Sequence, residues 1–344
     1  MPSLKPAIHA LAYGRWMRRD GLSRRQKLAI FRHWVAKIGV ETNGRCNRTC
    51  WFCPNRFLDR RADLPMSPEH WEVILRGLHD TDYSRLLVWS RYSEPLADRA
   101  ILERVAEARA AAPQCRVVIY SNGDYLDAEY VRELAPAGVN RLVLGAYLPE
   151  GAAFSREEAL RQCTALAARC GAAYEIATDT ARHVGLRLQI PGLAATVACQ
   201  DYGGSADTSD RGGALAELSA AKPRRFAPCY LPSWHLLIDH SGAVMPCCHL
   251  RSDYPDHVPC IVARLGSGEE EVDLVGAYAR LASWRRTAMT YGPKEGPCAH
   301  CTVGTRAGDA VTRLSQRLAL GLAGCSGSGL GAGFLTSHRA RRLW

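Results

Sequence analysis

The sequence predicts an α/β protein: an incomplete barrel of βα units, a partial (β/α)6-like TIM barrel, followed by a small β-hairpin and helix module. Two observations carry this. Short apolar runs alternate with helix-like segments from residue 38 to about 220, which gives room for about six units at about thirty residues each, short of a closed eightfold barrel. Half of the 14 cysteines of the 344-residue chain fall into two spaced sets, one after the first strand and one in the C-terminal third.

The elements follow in order. Residues 1–37 form a basic helical extension; to residue 38 there are nine Lys or Arg against one acid, Asp20. Ser23-Arg24-Arg25-Gln26 reads as a capping box, and Leu28, Phe31 and Val35 recur at helical spacing. The first strand is Ile38-Gly39-Val40-Glu41, with further strands at 86–89, 116–120, 141–144 and 186–190. Helices lie between them at 67–79, 97–112, 127–136 and 155–170, where Ser67-Pro68-Glu69 and Ser155-Arg156-Glu157-Glu158 supply starts. Alternation of this kind implies a parallel sheet whose functional groups sit at the C-terminal strand ends. The barrel is expected over 38–220 and the second module over 221–305, with a Gly-rich and then basic tail over 306–344. In that module Trp234–Ile238 and Ala243–Cys247 flank the turn Asp239-His240-Ser241-Gly242 as a hairpin, and 269–290 reads as a helix.

The chemistry concentrates in the cysteines. Cys46, Cys50 and Cys53 form a Cys-x3-Cys-x2-Cys group on the loop after the first strand. Three thiolates there can hold three irons of a 4Fe-4S cubane and leave the fourth without a protein ligand, which is where chemistry takes place. A zinc knuckle or buried thiols are the alternatives on spacing alone. The second set is Cys229, Cys247 and the pair Cys298-x2-Cys301, which suits either tetrahedral zinc or a 4Fe-4S cluster.

Both sets, in this order and on these strand contexts, resemble the radical SAM enzymes that carry a C-terminal twitch (SPASM-like) module, a likeness that covers about residues 38–305. The layout is similar to aminocyclitol dehydrogenase-type members. The resemblance implies that the open iron chelates S-adenosylmethionine (SAM), and that an electron from a reductant such as flavodoxin or ferredoxin cleaves it to a 5′-deoxyadenosyl radical. It also implies that Cys229, Cys247, Cys298 and Cys301 hold one auxiliary 4Fe-4S cluster. The larger SPASM version continues with two more cysteines, where this chain has Ala307 and Val311, so two 4Fe-4S clusters are expected in total. Ser93-Glu94-Pro95 takes the place of the family's Gly-Glu-Pro, which makes Glu94 the partner of the methionine ammonium. Tyr92 and Ser93 stand where the family has two glycines. Ser121 and Asn122 match the segment that meets the SAM ribose or carboxylate, Phe52 sits where backbone meets adenine, and Arg211 is a further SAM contact.

Cys248 and Cys260 are candidate hydrogen-atom donors to a substrate radical, a role that would make the enzyme an epimerase. His183, His235, His249, His300, Tyr147, Glu175 and Asp179 are candidate proton carriers or substrate contacts. The expected function is hydrogen abstraction from a small polar molecule such as a sugar, cyclitol or nucleoside in natural-product biosynthesis, followed by oxidation or epimerisation. Peptide modification, sulfur insertion and a zinc-stabilised nucleic-acid-binding protein are the rivals; no recognised nucleic-acid module accompanies the basic arm. Cysteines at this density without a secretion signal suggest metal rather than disulfides and a reducing, cytoplasmic setting. No apolar run reaches membrane-spanning length.

Overall fold

The structure, a computed structural model, describes residues 14–58, 60, 62–149, 151–202, 209–218, 224–266 and 272–303. The tail expected over 306–344, including Ala307 and Val311, lies outside the described residues, as do residues 1–13.

Ten strands form one sheet in the order β10-β9-β8-β1-β2-β3-β4-β7-β6-β5. They are β1 Lys37–Val40, β2 Leu86–Trp89, β3 Arg116–Ser121, β4 Arg141–Gly145, β5 Ala173–Thr180, β6 His183–Ile190, β7 Leu193–Gln200, β8 His235–Ile238, β9 Ala243–Met245 and β10 Ala263–Arg264. Six are mutually parallel along the line β8-β1-β2-β3-β4-β7. These are the staves of the partial barrel. The remaining strands extend the two ends antiparallel.

Helices cover the outer face: α1 Arg24–Trp34, α2 Pro68–Asp80, α3 Ile101–Ala111, α4 Ala128–Ala137 and α5 Arg156–Arg169. All but α3 start within a residue of where the sequence places them; α3 starts at Ile101 and not at 97, since Pro95–Ala97 form a separate 3-10 turn. Ser23 caps α1 with both halves of the capping box present, Ser67 and Ser155 cap α2 and α5, and Gly138 at φ 109° ends α4. One face of each parallel strand meets these helices: Ile38 and Val40, Leu87 and Trp89, Val117 and Ile119, Leu142 and Leu144 all belong to the core that includes Ile74, Leu78, Val105 and Leu134. The alternate residues, Lys37, Tyr120, Val143 and His235 among them, point the other way and line an interior cavity.

Three expectations are revised. Residues 186–190 belong to β6, the middle of an antiparallel β5-β6-β7 meander, and β7 supplies the fifth parallel strand. The hairpin strand β8 also pairs in parallel with β1, His235 opposite Lys37, and so completes the barrel line. The helix expected over 269–290 is two short ones, α7 Leu274–Arg280 and α8 Ala282–Ala288, following the four-residue α6 Leu231–Trp234.

The β1–β8 seam depends on Gly39, where an added Cβ lies 2.5 Å from Leu237 Cδ2. Gly39→Val is expected to lower stability by about 1–3 kcal/mol through overpacking. Urea denaturation checks this, and Leu237→Ala in the same chain should recover part of the loss.

Candidate active site

The loop after β1 is held open over the strand ends by a buried hydrogen-bond network. Glu41 Oε1 accepts from the backbone N–H groups of Tyr92 and Ser93 at 2.7 and 2.8 Å, and Glu94 N donates to the Arg45 carbonyl at 2.6 Å. Asn55 Nδ2 donates to the Tyr92 carbonyl, while Arg251 Nη1 donates to Asn55 Oδ1. On the other side Arg48 grips Asp124 at 2.5 and 2.6 Å, joined by Asn47. The loop is thus tied to the ends of β2 and β3 and to the segment after β9.

Glu94 is almost wholly buried and its carboxylate is a hub. It accepts from Leu96 N at 3.0 Å, Ser121 Oγ at 2.6 Å and Asn122 N at 2.7 Å. Burial raises its pKa above the ordinary range, while those donors pull the other way. Asn122 Nδ2 reaches Asn47 Oδ1 at 2.9 Å and so links the same hub to the cysteine loop.

Cys46, Cys50, Cys53, Phe52, Ser93, Glu94, Ser121, Asn122 and Arg211 all line one cavity of about 780 Å³, joined from the opposite side by Cys229 and Cys248. Burial is the main reason the Cys46 and Cys50 thiols are pushed up to about 11 and about 12. Repulsion from Cys53 adds to both, and Cys46 and Cys50 are themselves within reach of one another. A donor set of three mutually repelling thiolates suits a positively charged metal group, which removes that repulsion. Among the described residues no three His, Cys, Asp or Glu groups converge as they would around a single ion.

The second set gathers on the far side. Burial pushes Cys298 up to about 12, with Cys301 and Cys229 adding, and Cys247 is raised by burial and then by Cys248, Cys298 and Cys301. Arg225 staples the strands of chain that carry three of them: it donates to the carbonyls of Ala227, Pro228, Cys301 and Val303, with Cys301 Sγ at 3.8 Å.

Other expectations resolve by position. Phe52 stacks on Tyr202, ring centroids 3.8 Å apart and 8° from parallel, with Tyr147 at 5.3 Å. Cys260 does not line the cavity and is buried with Leu237, Met245 and Leu250. Glu175 and Asp179 pair with Arg187 and Arg156 on the exposed meander, away from the cavity. His235 and His249 line it. Lys37, Arg91, Tyr202 and Arg225 also reach it and were not singled out from the sequence; each carries an ordinary local signal and arrives through tertiary packing.

Residues 40–147 match the model of the radical SAM superfamily, so this stretch is similar to a radical SAM domain. Such a domain implies one 4Fe-4S cluster and SAM. The chain is similar to the S-adenosyl-L-methionine-dependent 2-deoxy-scyllo-inosamine dehydrogenase of Niallia circulans, 31% identical over 107 residues. That match takes in 31% of this chain and 43% of the relative, so less than half the relative's length. Its fold resembles that of BtrN in complex with AdoMet and 2-DOIA, with a TM-score of 0.51 and 22% identity over 74% of this chain and 87% of that one.

The Arg48–Asp124 clasp has a pH signature. Burial raises the Asp124 pKa, but bonds from Arg48 and Asn47 and the Arg48 charge outweigh it and hold the carboxyl below its ordinary value. A depressed pKa contributes stability above the unfolded value, lost as pH falls through the folded one. Asp124→Asn is therefore expected to cost about 1 kcal/mol at pH 7, and the gap from wild type should close as pH is lowered from about 5 to 3, measured by urea denaturation at each pH.

Proposed function

We propose that the protein is a radical SAM oxidoreductase that removes a hydrogen atom from an unactivated carbon of a small polar molecule and oxidises it. The observation that carries this reading is the single cavity onto which the three-cysteine loop, the Glu94 hub and, of the second cysteine set, Cys229 open. When bound, the cluster and SAM supply the one-electron cleavage that starts hydrogen abstraction.

Cys46, Cys50 and Cys53 are the residues that hold the first cluster. Glu94 takes the methionine ammonium in a charge-assisted bond, with its two oxygens already oriented by Ser121 and Asn122. Arg211, beside Cys53 in the charge field of the cavity, meets the SAM carboxylate. The Phe52–Tyr202 stack walls the adenine side and keeps water from it. Cys229, Cys247, Cys298 and Cys301, with Arg225 beside Cys301, would hold an auxiliary 4Fe-4S cluster, and that cluster would supply an electron acceptor for the oxidation. Cavity volume supports a small substrate beside SAM, within the range of about 300–1,000 Å³ usual for ligand pockets. Among the described residues no helix is long and apolar enough to cross a membrane.

Anaerobic reconstitution is expected to give about eight irons per chain, with matching acid-labile sulfide. Dithionite and SAM should then yield 5′-deoxyadenosine. Cys50→Ala should abolish that product. Cys298→Ala should retain SAM cleavage, hold about four irons and lose substrate oxidation. Reconstituted protein with both clusters intact and no 5′-deoxyadenosine would overturn the reading.

A further inference from the structure

Arg225 belongs to both the cavity and the second cysteine set. It lines the cavity together with Cys229, whereas Cys247, Cys298 and Cys301 do not. Its side chain nonetheless reaches Cys301, with Nη1 at 3.8 Å from Sγ. The rest of its hydrogen bonds go to the chain around those cysteines. Nε donates to the Ala227 carbonyl at 2.9 Å, Nη2 to that of Pro228 at 2.6 Å, and Nη1 to those of Cys301 and Val303 at 3.3 and 2.6 Å. The backbone N–H of Arg225 donates to the Ala299 carbonyl at 2.6 Å, inside the Cys298-x2-Cys301 pair, and its carbonyl accepts from Lys294 N at 2.9 Å. The guanidinium is thus fixed in one orientation, and only 5% of the residue is exposed.

Those carbonyls satisfy the donors but not the charge. A buried cation is ordinarily paired, yet among the described residues the partners of the Arg225 side chain are four carbonyls and one sulfur, with no carboxylate. The nearby Glu295 goes instead to the exposed neighbour Arg224, at 3.6 Å. What offsets the charge is sulfur. Burial raises the Cys298 and Cys301 thiols, and the Arg225 charge pulls both back. A cation held at a fixed place beside a thiol and out of water acts strongly on it, because the interior screens poorly.

We propose that Arg225 is a positioning residue that sets the reduction potential of the auxiliary cluster, its fixed charge and its N–H toward Cys301 Sγ favouring the reduced form. The proposal rests on the auxiliary cluster of the reading above and adds what tunes it. Uptake of one electron breaks no bond and makes the cluster more negative by one charge. A cation beside a ligating sulfur therefore stabilises the reduced form more than the oxidised one and raises the potential. That direction suits an acceptor of the electron released when the substrate is oxidised.

The test is a redox titration, followed by electron paramagnetic resonance, of the reconstituted full chain carrying Cys46→Ala, Cys50→Ala and Cys53→Ala, so that the auxiliary cluster is read alone. At the midpoint potential of that protein, adding Arg225→Met is expected to lower the ratio of reduced to oxidised cluster by about tenfold, a fall of about 59 mV for a one-electron couple. Arg225→Lys keeps the charge and should stay within about threefold. Arg224→Met removes an equal charge from the exposed neighbour and should leave the midpoint where it was. The proposal is overturned if Arg225→Met keeps its cluster at an unchanged midpoint, or if Arg225→Lys or Arg224→Met falls as far as Arg225→Met. Should Arg225→Met not hold the cluster, Arg225→Gln, which keeps N–H donors and drops the charge, is read in the same way. Loss of the cluster from every Arg225 variant would leave the residue a staple only and overturn the proposal. Failure of the parent reading looks different: the Cys-to-Ala protein with Arg225 intact then holds no 4Fe-4S cluster, and the proposal falls with it.

Discussion

The structure depends on delivering three thiols, those of Cys46, Cys50 and Cys53, to one side of a buried cavity. A loop of this kind is floppy unless its strand is fixed on both sides and its backbone polar groups are satisfied. Here β1 is clamped in parallel between β2 and β8, and Glu41, at the strand's end, spends a buried carboxylate oxygen on the two N–H groups of Tyr92 and Ser93. The same two residues replace the glycines of the family pattern. With side chains present, their backbone is positioned by a hydrogen-bonded acceptor rather than left to glycine's freedom, and the Tyr92 hydroxyl donates to the Cys248 carbonyl. That bond ties the loop after β2 to the segment that bears Cys247.

The two halves of the molecule are joined by the sheet itself. The hairpin strand β8 is at once the first strand of the C-terminal module and the sixth parallel stave of the barrel, so Cys247 and Cys248 are carried by a backbone continuous with β1. Relative motion between the cysteine sets is therefore limited by a hydrogen-bonded ladder, not by a linker. Charge follows the same plan. Arg211 and Arg225 stand beside thiols of the first and second sets respectively, where they offset negative charge that burial makes expensive.

Much of this was legible in the sequence, for local reasons. Cysteine spacing, the Ser-capped helix starts and the apolar strands β1 to β4 are written in short stretches, and the helices at 68–80 and 156–169 fall within a residue or two of their expected bounds. What escaped was non-local or patternless. β5 is exposed or half-buried along its whole length, so no apolar alternation marks it, and the small residues Ala194, Ala195 and Ala198 of β7 carry little strand signal. The turn of the β8–β9 hairpin is readable, but its parallel partner lies about two hundred residues away. Arg91 and Lys37 look like ordinary basic residues until the barrel closes around them. Glu94, by contrast, was singled out by its place before Pro95, and the structure adds what sequence does not contain: the donors that fix both of its oxygens.

The open iron corner is tested most directly by Mössbauer spectroscopy on 57Fe-reconstituted Cys298→Ala/Cys301→Ala protein, which retains only the three-cysteine loop's cluster. One of the four irons should change its isomer shift and quadrupole splitting when SAM is added, the other three remaining as they were. Four irons that are indifferent to SAM, or a site that holds a single metal ion, would contradict the account.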